Sequence, residues 1–491
     1  MDTLPILPLV PLLFGAVLSV LAGLWRPLAA QVTAIVATAT TLVLAVVGLL
    51  TTLEVGPLQH DLGGWAPPVG ITYVLDPLSG YLTVVIAFIG LLVCIYPVAA
   101  AFGLQPPRSA PLYPLALLLL TGLTGVVLSG DLFHLFVMLE IFAIASYGLV
   151  SLGGIGGVLA SLRYLLLGTI GSGLYLLGVG FLYFSTGTLN MADMAQQLPP
   201  LAESPTILGA MALIVIGLAL KMALFPLHVW LPDAHAYSPP GVAALLAAVQ
   251  VKAGAYALVR ILYDVFGPAY GGGTGLPVST ALTWFGLAGI VVGSVLAIRQ
   301  TDFKRLLAWS TVAQLGYIGV GIGLANPLAL VGALLHVLNH AVMKCGLFLV
   351  AGGIIQQTGL KTIAKFAGLG KRMPLTMAGF AVAGLSMVGI PPTAGFFSKF
   401  YLVWGGIEAG NWAVFVVVVS SSLLTAVYFL RLFEQVFVRE PESAVVEQAR
   451  EPGPRVVGTV AVLGAAVLLI GLFNATIVER VLLPVADRMV G

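Results

Sequence analysis

The sequence predicts an all-α polytopic membrane protein with about 14 transmembrane helices, and three observations carry that prediction. First, of its 491 residues 59% are hydrophobic and 8% charged, with a mean hydropathy of +1.08; a soluble domain carries about 25% charged residues. Second, apolar windows of the roughly 20 residues that cross a bilayer recur along the whole chain. Third, the basic residues between those windows segregate to one side when loops are assigned to alternate sides.

In chain order, apolar windows place helices near 4–24, 29–52, 76–101, 111–129, 132–151, 159–186 and 206–226. The rest fall near 240–260, 280–298, 305–323, 327–355, 374–405, 411–430 and 456–478. With the N-terminus on side one, side two holds Arg26, Arg108, Arg163, Arg299, Lys304, Arg305, Lys361, Lys365, Lys371, Arg372, Arg431, Arg439, Arg450 and Arg455. Side one holds Arg260, Arg480 and Arg488. Short cytoplasmic loops are the ones enriched in Lys and Arg. Side two therefore reads as cytoplasmic, and both termini read as outside the cytoplasmic membrane. The N-terminus lacks a basic region and a small-residue cleavage site, so the first span reads as retained.

Several functions are excluded at this point. The net charge of +2 is spread thinly, with no basic run to track a phosphate backbone, so nucleic acid is not a partner. Cys94 and Cys345 are the two cysteines, far apart in apolar stretches, so no iron–sulfur cluster or structural zinc is expected. Nucleotide-binding glycine motifs are missing. No cofactor, no metal and no enzymatic site are expected, and the chain reads as a transporter subunit in the lipid bilayer.

Of the 21 basic residues, 14 lie on side two and 3 on side one, which leaves four: Lys221, Lys252, Lys344 and Lys399. Each lies within an apolar helix, and Glu140 is the one carboxylate at similar depth. Ionised groups in the bilayer cost several kcal/mol, so they pair or line wet cavities. Four lysines cannot all pair with one glutamate. A lysine in low dielectric holds its proton less tightly, and a nearby carboxylate restores the hold. Glu140 and Lys221 are the natural pair for a site that loads and unloads. Snorkelling and static ion pairing are the bland alternatives, but snorkelling works near helix ends.

His336, His340 and Lys344 are spaced i, i+4, i+8 and share one helical face, where histidine suits a proton relay. An HxxxH pair also matches two zinc ligands, but no third ligand is evident. His228 and His235 flank a loop, as entrance groups or ordinary polar contacts. Pro226 follows Lys221 closely, and Pro391 and Pro392 interrupt the span of Lys399, so helices 7 and 12 are expected to be broken. Interrupted helices in two halves point to inverted repeats with sites at mid-membrane.

The stretch 218–260, LALKMALFPLHVWLPDAHAYSPPGVAALLAAVQVKAGAYALVR, resembles the signature of the antiporter-like subunits. Those are shared by respiratory complex I, membrane-bound hydrogenases and Mrp-type cation/proton antiporters. GDLFHLFVMLEIFAIASYGLVS around Glu140, LLHVLNHAVMKCGLFL around Lys344 and PPTAGFFSKFYL around Lys399 resemble further family segments. The match covers roughly 110–430. The resemblance implies 14 helices in which 4–8 and 9–13 form two inverted five-helix repeats. It divides the chain into 1–110, the repeats 111–267 and 268–435, and 436–491, a cytoplasmic loop with helix 14.

By the same resemblance, Glu140 corresponds to the fifth-helix glutamate, Lys221 to the seventh-helix lysine and Lys252 to the eighth-helix basic residue. His336, His340 and Lys344 correspond to the eleventh-helix polar row. Lys399 corresponds to the twelfth-helix residue, a glutamate in some branches. A lysine there leaves a resemblance to the D type of the Mrp antiporters and the N type of complex I, and GTLNMADMA and VKAGAYALVRI resemble the D type more. The implied function is proton translocation in a multisubunit sodium/proton antiporter, with other membrane subunits as partners. Lysine cannot ligate sodium, which needs oxygen donors, so a sodium site would be formed partly by partners. The alternative is the same proton machine in a redox-driven complex, complex I or a hydrogenase.

Overall fold

The computed structural model describes residues 2–99, 103–104, 108–267 and 276–491. Among these, eleven helices are long and apolar enough to cross a membrane, and three shorter apolar helices accompany them. Fourteen apolar helices thus stand where about 14 were expected. They are α1 (Leu9–Trp25), α2 (Pro27–Val55), α3 (Pro77–Ile95), α4 (Leu112–Leu128), α5 (Leu132–Ser151), α6 (Ile155–Thr186) and α7a (Pro205–Met222). Then come α8 (Pro240–Val265), α9 (Val278–Ile298), α10 (Phe303–Gly323), α11 (Pro327–Thr358), α12a (Pro374–Val388), α13 (Trp412–Phe433) and α14 (Pro454–Leu472). Residues 100 and 101 of the span expected at 76–101 lie outside the described residues, and its helix ends at Ile95.

Local chemistry sets the helix starts. Asp76, Asp131, Asp302 and Asn326 accept backbone N–H groups of the first turns of α3, α5, α10 and α11, relieving donors that no helix satisfies internally. Prolines open α2, α3, α7a, α8, α11, α12a and α14, where the missing N–H costs nothing. Burial then orders the bundle. The apolar windows of α8, α10 and α11 are 100%, 94% and 94% buried, against 33% for α2, α13 and α14, so α8, α10 and α11 form the centre. Polar residues on these three helices are therefore shielded from lipid.

Both expected breaks are present. Helix α7a ends at left-handed Ala223 and resumes as the short α7b (Leu231–Tyr237). Helix α12a ends at left-handed Gly389 and resumes as α12b (Ala394–Glu408). Helix α8 departs from α geometry unforeseen, with π-turns at Leu246–Gln250 and Arg260–Val265. An antiparallel hairpin, β1 (Leu58–Asp61) with β2 (Thr72–Leu75), is a further addition to the helical expectation. Its strands sit between α2 and α3, too short to register in an apolar window.

Contacts sort the connecting segments into two ends. At one end Ser129 bridges to Tyr73, Asp131 bridges to Asn190, and Leu4 and Ile6 pack against Tyr73 and Leu75. Arg488, in the terminal helix α15 (Leu483–Val490), reaches Asp76 and Asp264 at 3.6 and 3.7 Å at that same end. At the other end Asp233 pairs with Arg163 and Arg305 at 2.9 Å each, and Arg431 donates to the Gln300 carbonyl at 2.9 Å. Both termini lie at the same end, as an even number of crossings requires.

Arg260, read from the sequence as a loop charge, is instead buried, 7% exposed, in the last turn of α8. It pairs with Asp76 and Asp264, which is how the fold accommodates it. Burial by itself would raise the Asp76 carboxyl, but the Arg260 guanidinium beside it, with the Ser79 N–H, holds it well below the usual carboxylate range. The stability this adds is fully present above the unfolded value near pH 4. It is lost only as pH falls through the lower folded value. Asp76→Asn keeps the cap but weakens the pair, and we expect it to cost about 2 kcal/mol. In thermal unfolding of the detergent-solubilised protein, its deficit should be constant from pH 8 to pH 5 and narrow only below about pH 4. A deficit that vanishes by pH 5 would contradict the pairing.

Candidate functional site

The seven residues singled out in the sequence fall into two groups. In the first, Lys221 Nζ on α7a donates to Glu140 Oε1 on α5 at 3.2 Å, and Ser172 Oγ on α6 donates to the same oxygen. Lys221 is enclosed, with its side chain 2% exposed, whereas that of Glu140 is 28% exposed at the lateral face of the bundle. Phe142 closes over Lys221, its ring centre 5.9 Å from Nζ. Helix α7a stops one residue past Lys221, and the Leu220 carbonyl, which takes the Ala223 N–H at 3.1 Å, also accepts Trp230 Nε1 at 3.1 Å. The break therefore holds Lys221 at a capped helix end rather than in the middle of a helix.

The second group runs through α8, α11 and α12b. Lys252 Nζ donates to the Ala247 carbonyl, which lies in the first π-turn of α8. Lys344 Nζ donates to the Leu307 carbonyl at 2.7 Å and to Ser310 Oγ on α10. The His336 and His340 rings stack with centroids 5.9 Å apart, and His336 Nδ1 meets Ser398 Oγ at 2.9 Å. Lys399 Nζ donates to the Met387 and Val388 carbonyls at 2.9 and 3.0 Å and to Ser422 Oγ at 3.1 Å. Those are the carbonyls that the break in α12 leaves free. His336, His340 and Lys344 are fully buried, and Lys252 and Lys399 are nearly so. Tyr317 stands between His336 and Lys399, its ring 5.2 Å from the one ring and 5.3 Å from the other's Nζ, and the first π-turn of α8, ahead of Lys252, packs against α11. These five residues thus form one row.

The two groups meet at a backbone crossing. A Cβ on Gly254 of α8 would lie 2.8 Å from the Met222 N and 3.1 Å from the Lys221 carbonyl carbon. Only glycine lets α8 approach α7a this closely, so the backbone at Lys221 packs against α8 two residues along from Lys252.

Several members of the row were not visible in the sequence. Lys304, read as a loop charge, is buried at the start of α10, 4% exposed, and donates to the Ala236 carbonyl at 2.8 Å and to the Ser238 carbonyl. It closes the end of α7b beside His235. Tyr317 lies between His336 and Lys399. Neither residue carries a sequence signal, because which helix end another helix covers is a tertiary fact. His228 packs in the α7 break against Phe225 and Trp309.

Three properties of this row bear on its chemistry. No lysine of the row has a carboxylate partner among the described residues, whereas Lys221, in the first group, has Glu140. His235 and His340 have both ring nitrogens, and His336 its Nε2, buried without a hydrogen-bond partner among the described residues. Buried polar atoms are otherwise satisfied by water, so the row has the polarity of a hydrated path. Among the described residues no three His, Cys, Asp or Glu side chains converge to hold a metal ion.

The chain is similar to known membrane subunits in sequence and in fold. The family model described as NADH:quinone oxidoreductase/Mrp antiporter, TM, matches residues 129–425. The chain is 48% identical over 448 residues to the N-type subunit of NADH-quinone oxidoreductase from Desulforudis audaxviator, covering 89% of each. It is 33% identical over 460 residues to the D-type subunit of the Na(+)/H(+) antiporter from Alkalihalophilus pseudofirmus, covering 91% of this chain and 90% of that one. A chain in the structure of the Mrp complex from Dietzia superimposes with a TM-score of 0.89 at 27% identity, over 99% of this chain and 97% of its own. The relatives span both the antiporter and the quinone-oxidoreductase branches.

Proposed function

The chain belongs to the NADH:quinone oxidoreductase/Mrp antiporter family of membrane subunits, and from that premise we propose that it moves protons within a multisubunit sodium/proton antiporter. Glu140 modulates the protonation of Lys221. Protons pass through Lys252 and the row of His336, His340 and Lys344, and Lys399 forms the terminal site. One observation carries this reading: a row of buried lysines and histidines without compensating carboxylates among the described residues. A static structural role would pair such charges; exchange with water explains why they are left unpaired.

Glu140 supports a lateral partner. Its side chain is 28% exposed at the flank of α5, where lipid would penalise a carboxylate, so a neighbouring membrane subunit covers it. The matching breaks in α7 and α12 support reading 111–267 and 268–435 as inverted repeats. The 14-to-3 distribution of loop charges supports a cytoplasmic side two, with both termini outside.

A second reading is favoured by the 48% identity to a quinone-oxidoreductase subunit: the same row driven by electron transfer in partner subunits. Inverted vesicles carrying the complete complex separate the two. A respiratory substrate builds a pH gradient, and sodium is then added. Collapse of the gradient on sodium addition is the expected result. No response to sodium, with gradient formation itself dependent on this complex, assigns the chain to a redox-driven pump.

A further inference from the structure

Beyond Lys252, helix α8 continues as a polar stripe that the row above does not use. Lys252, Tyr256, Arg260 and Asp264 follow one another at four-residue spacing and so share one face. Arg260 Nε donates to Tyr256 Oη at 2.7 Å, and its other nitrogens donate to Asp264 Oδ2 at 2.6 Å and to Asp76 Oδ1. These groups line a cavity of about 440 Å³ at the end of the molecule that carries both termini, together with Asn190 and Arg488. Of its lining, Arg488 has a side chain 47% exposed. Lys252 lies two turns of helix below Arg260, about 12 Å along the axis and about 6 Å below Tyr256. At the level between them, Thr124 of α4 holds a buried hydroxyl with no hydrogen-bond partner among the described residues. It sits one turn inward from Val127, whose carbonyl accepts Tyr256 Oη. Polar groups therefore continue from the cavity floor towards Lys252.

We propose that this cavity is the vestibule of a proton half-channel leading to Lys252, and that Arg260 is the charge barrier that keeps it shut. A guanidinium does not deprotonate in proteins, so Arg260 cannot relay a proton; it can only oppose one. Arginine at a constriction excludes protons and cations by this means. Asp76 and Asp264 hold the guanidinium across the floor of the vestibule, and Tyr256 fixes its inner edge. The floor of the vestibule thus carries a charge, held between Tyr256 and the two carboxylates. A charge can be displaced without repacking a core. This inference rests on the reading that the row carries protons.

The test uses the purified complete complex in liposomes, with an imposed pH gradient followed by an internal pH dye in the absence of sodium and respiratory substrate. Wild type and Arg260→Lys are expected to hold the gradient. Arg260→Cys is expected to lose it at least about tenfold faster, since a unit charge at about 6 Å in an effective dielectric of about 20 slows cation passage by roughly a hundredfold. A cationic methanethiosulfonate reagent should restore tightness where a neutral one does not, and adding Lys252→Ala should abolish the leak. If Arg260→Cys disturbs assembly, Arg260→Gln, which removes the charge but keeps a donor for Asp76, replaces it, with the same leak expected. A tight Arg260 variant, a leak closed equally by the neutral reagent, or a leak indifferent to Lys252 would each overturn the barrier. Failure of the underlying reading shows separately, as sodium- or redox-driven proton movement that survives Lys221→Ala.

Discussion

Lys221→Ala is expected to reduce driven proton movement at least about a hundredfold, the scale on which losing a positioned proton carrier acts, while the complex still assembles. The decisive companion is Lys221→Arg. Arginine keeps the positive charge, and the half-exposed Glu140 carboxylate leaves space for a new pairing. A guanidinium, however, stays protonated. A static ion pair would survive that replacement with transport intact. A site that must release its proton would not, so Lys221→Arg should be as inactive as Lys221→Ala in the vesicle assay. Wild-type rates in Lys221→Arg would show that the Glu140–Lys221 pair only ties α5 to α7a.

The second large effect is steric. Gly254→Val places a branched side chain where even a Cβ meets the Met222 backbone at 2.8 Å. The contact is with main chain, which cannot rotate away, so α8 and α7a must separate. Overpacking of this kind costs about 1–3 kcal/mol, and here it also displaces Lys221. We expect little assembled complex on native gels and no transport from what remains. Gly254→Ala should assemble yet transport poorly. Gly209→Ala on the same α7a is the control, since nothing lies within 4 Å of a Cβ there; it should leave both readouts unchanged. Equal effects at Gly254 and Gly209 would mean that the crossing does not position the site.

Much of this architecture was legible in the chain because apolar windows report depth in the bilayer. They located the spans, and the lysines that interrupt them stood out for the same reason. The prolines marked the breaks, since a ring without an N–H cannot continue a helix. Lateral neighbours are another matter. Arg260 and Lys304 sit at helix ends, where sequence reads an exposed loop, yet α3 and α7b cover them. Tyr317, Ser172, Ser310 and Ser398 look like ordinary members of apolar runs until another helix delivers a titratable partner to each. The exposure of Glu140, and the close crossing at Gly254, depend on which faces meet. Nor does hydropathy separate the antiporter branch from the redox branch, because the driving reaction belongs to other chains.

Lys399 spends its three N–H bonds on two helix-end carbonyls and one hydroxyl, that of Ser422. Once it gives up a proton, the neutral amine retains two donors and gains a lone pair. Both carbonyls can keep their bonds, and Ser422, whose hydroxyl both donates and accepts, can reverse its bond and donate to the nitrogen. The loss of a charge then leaves no backbone group stranded in the bilayer interior. Either form of the amine keeps a donor on each carbonyl at the end of α12a, so the scaffold need not move for the proton to leave.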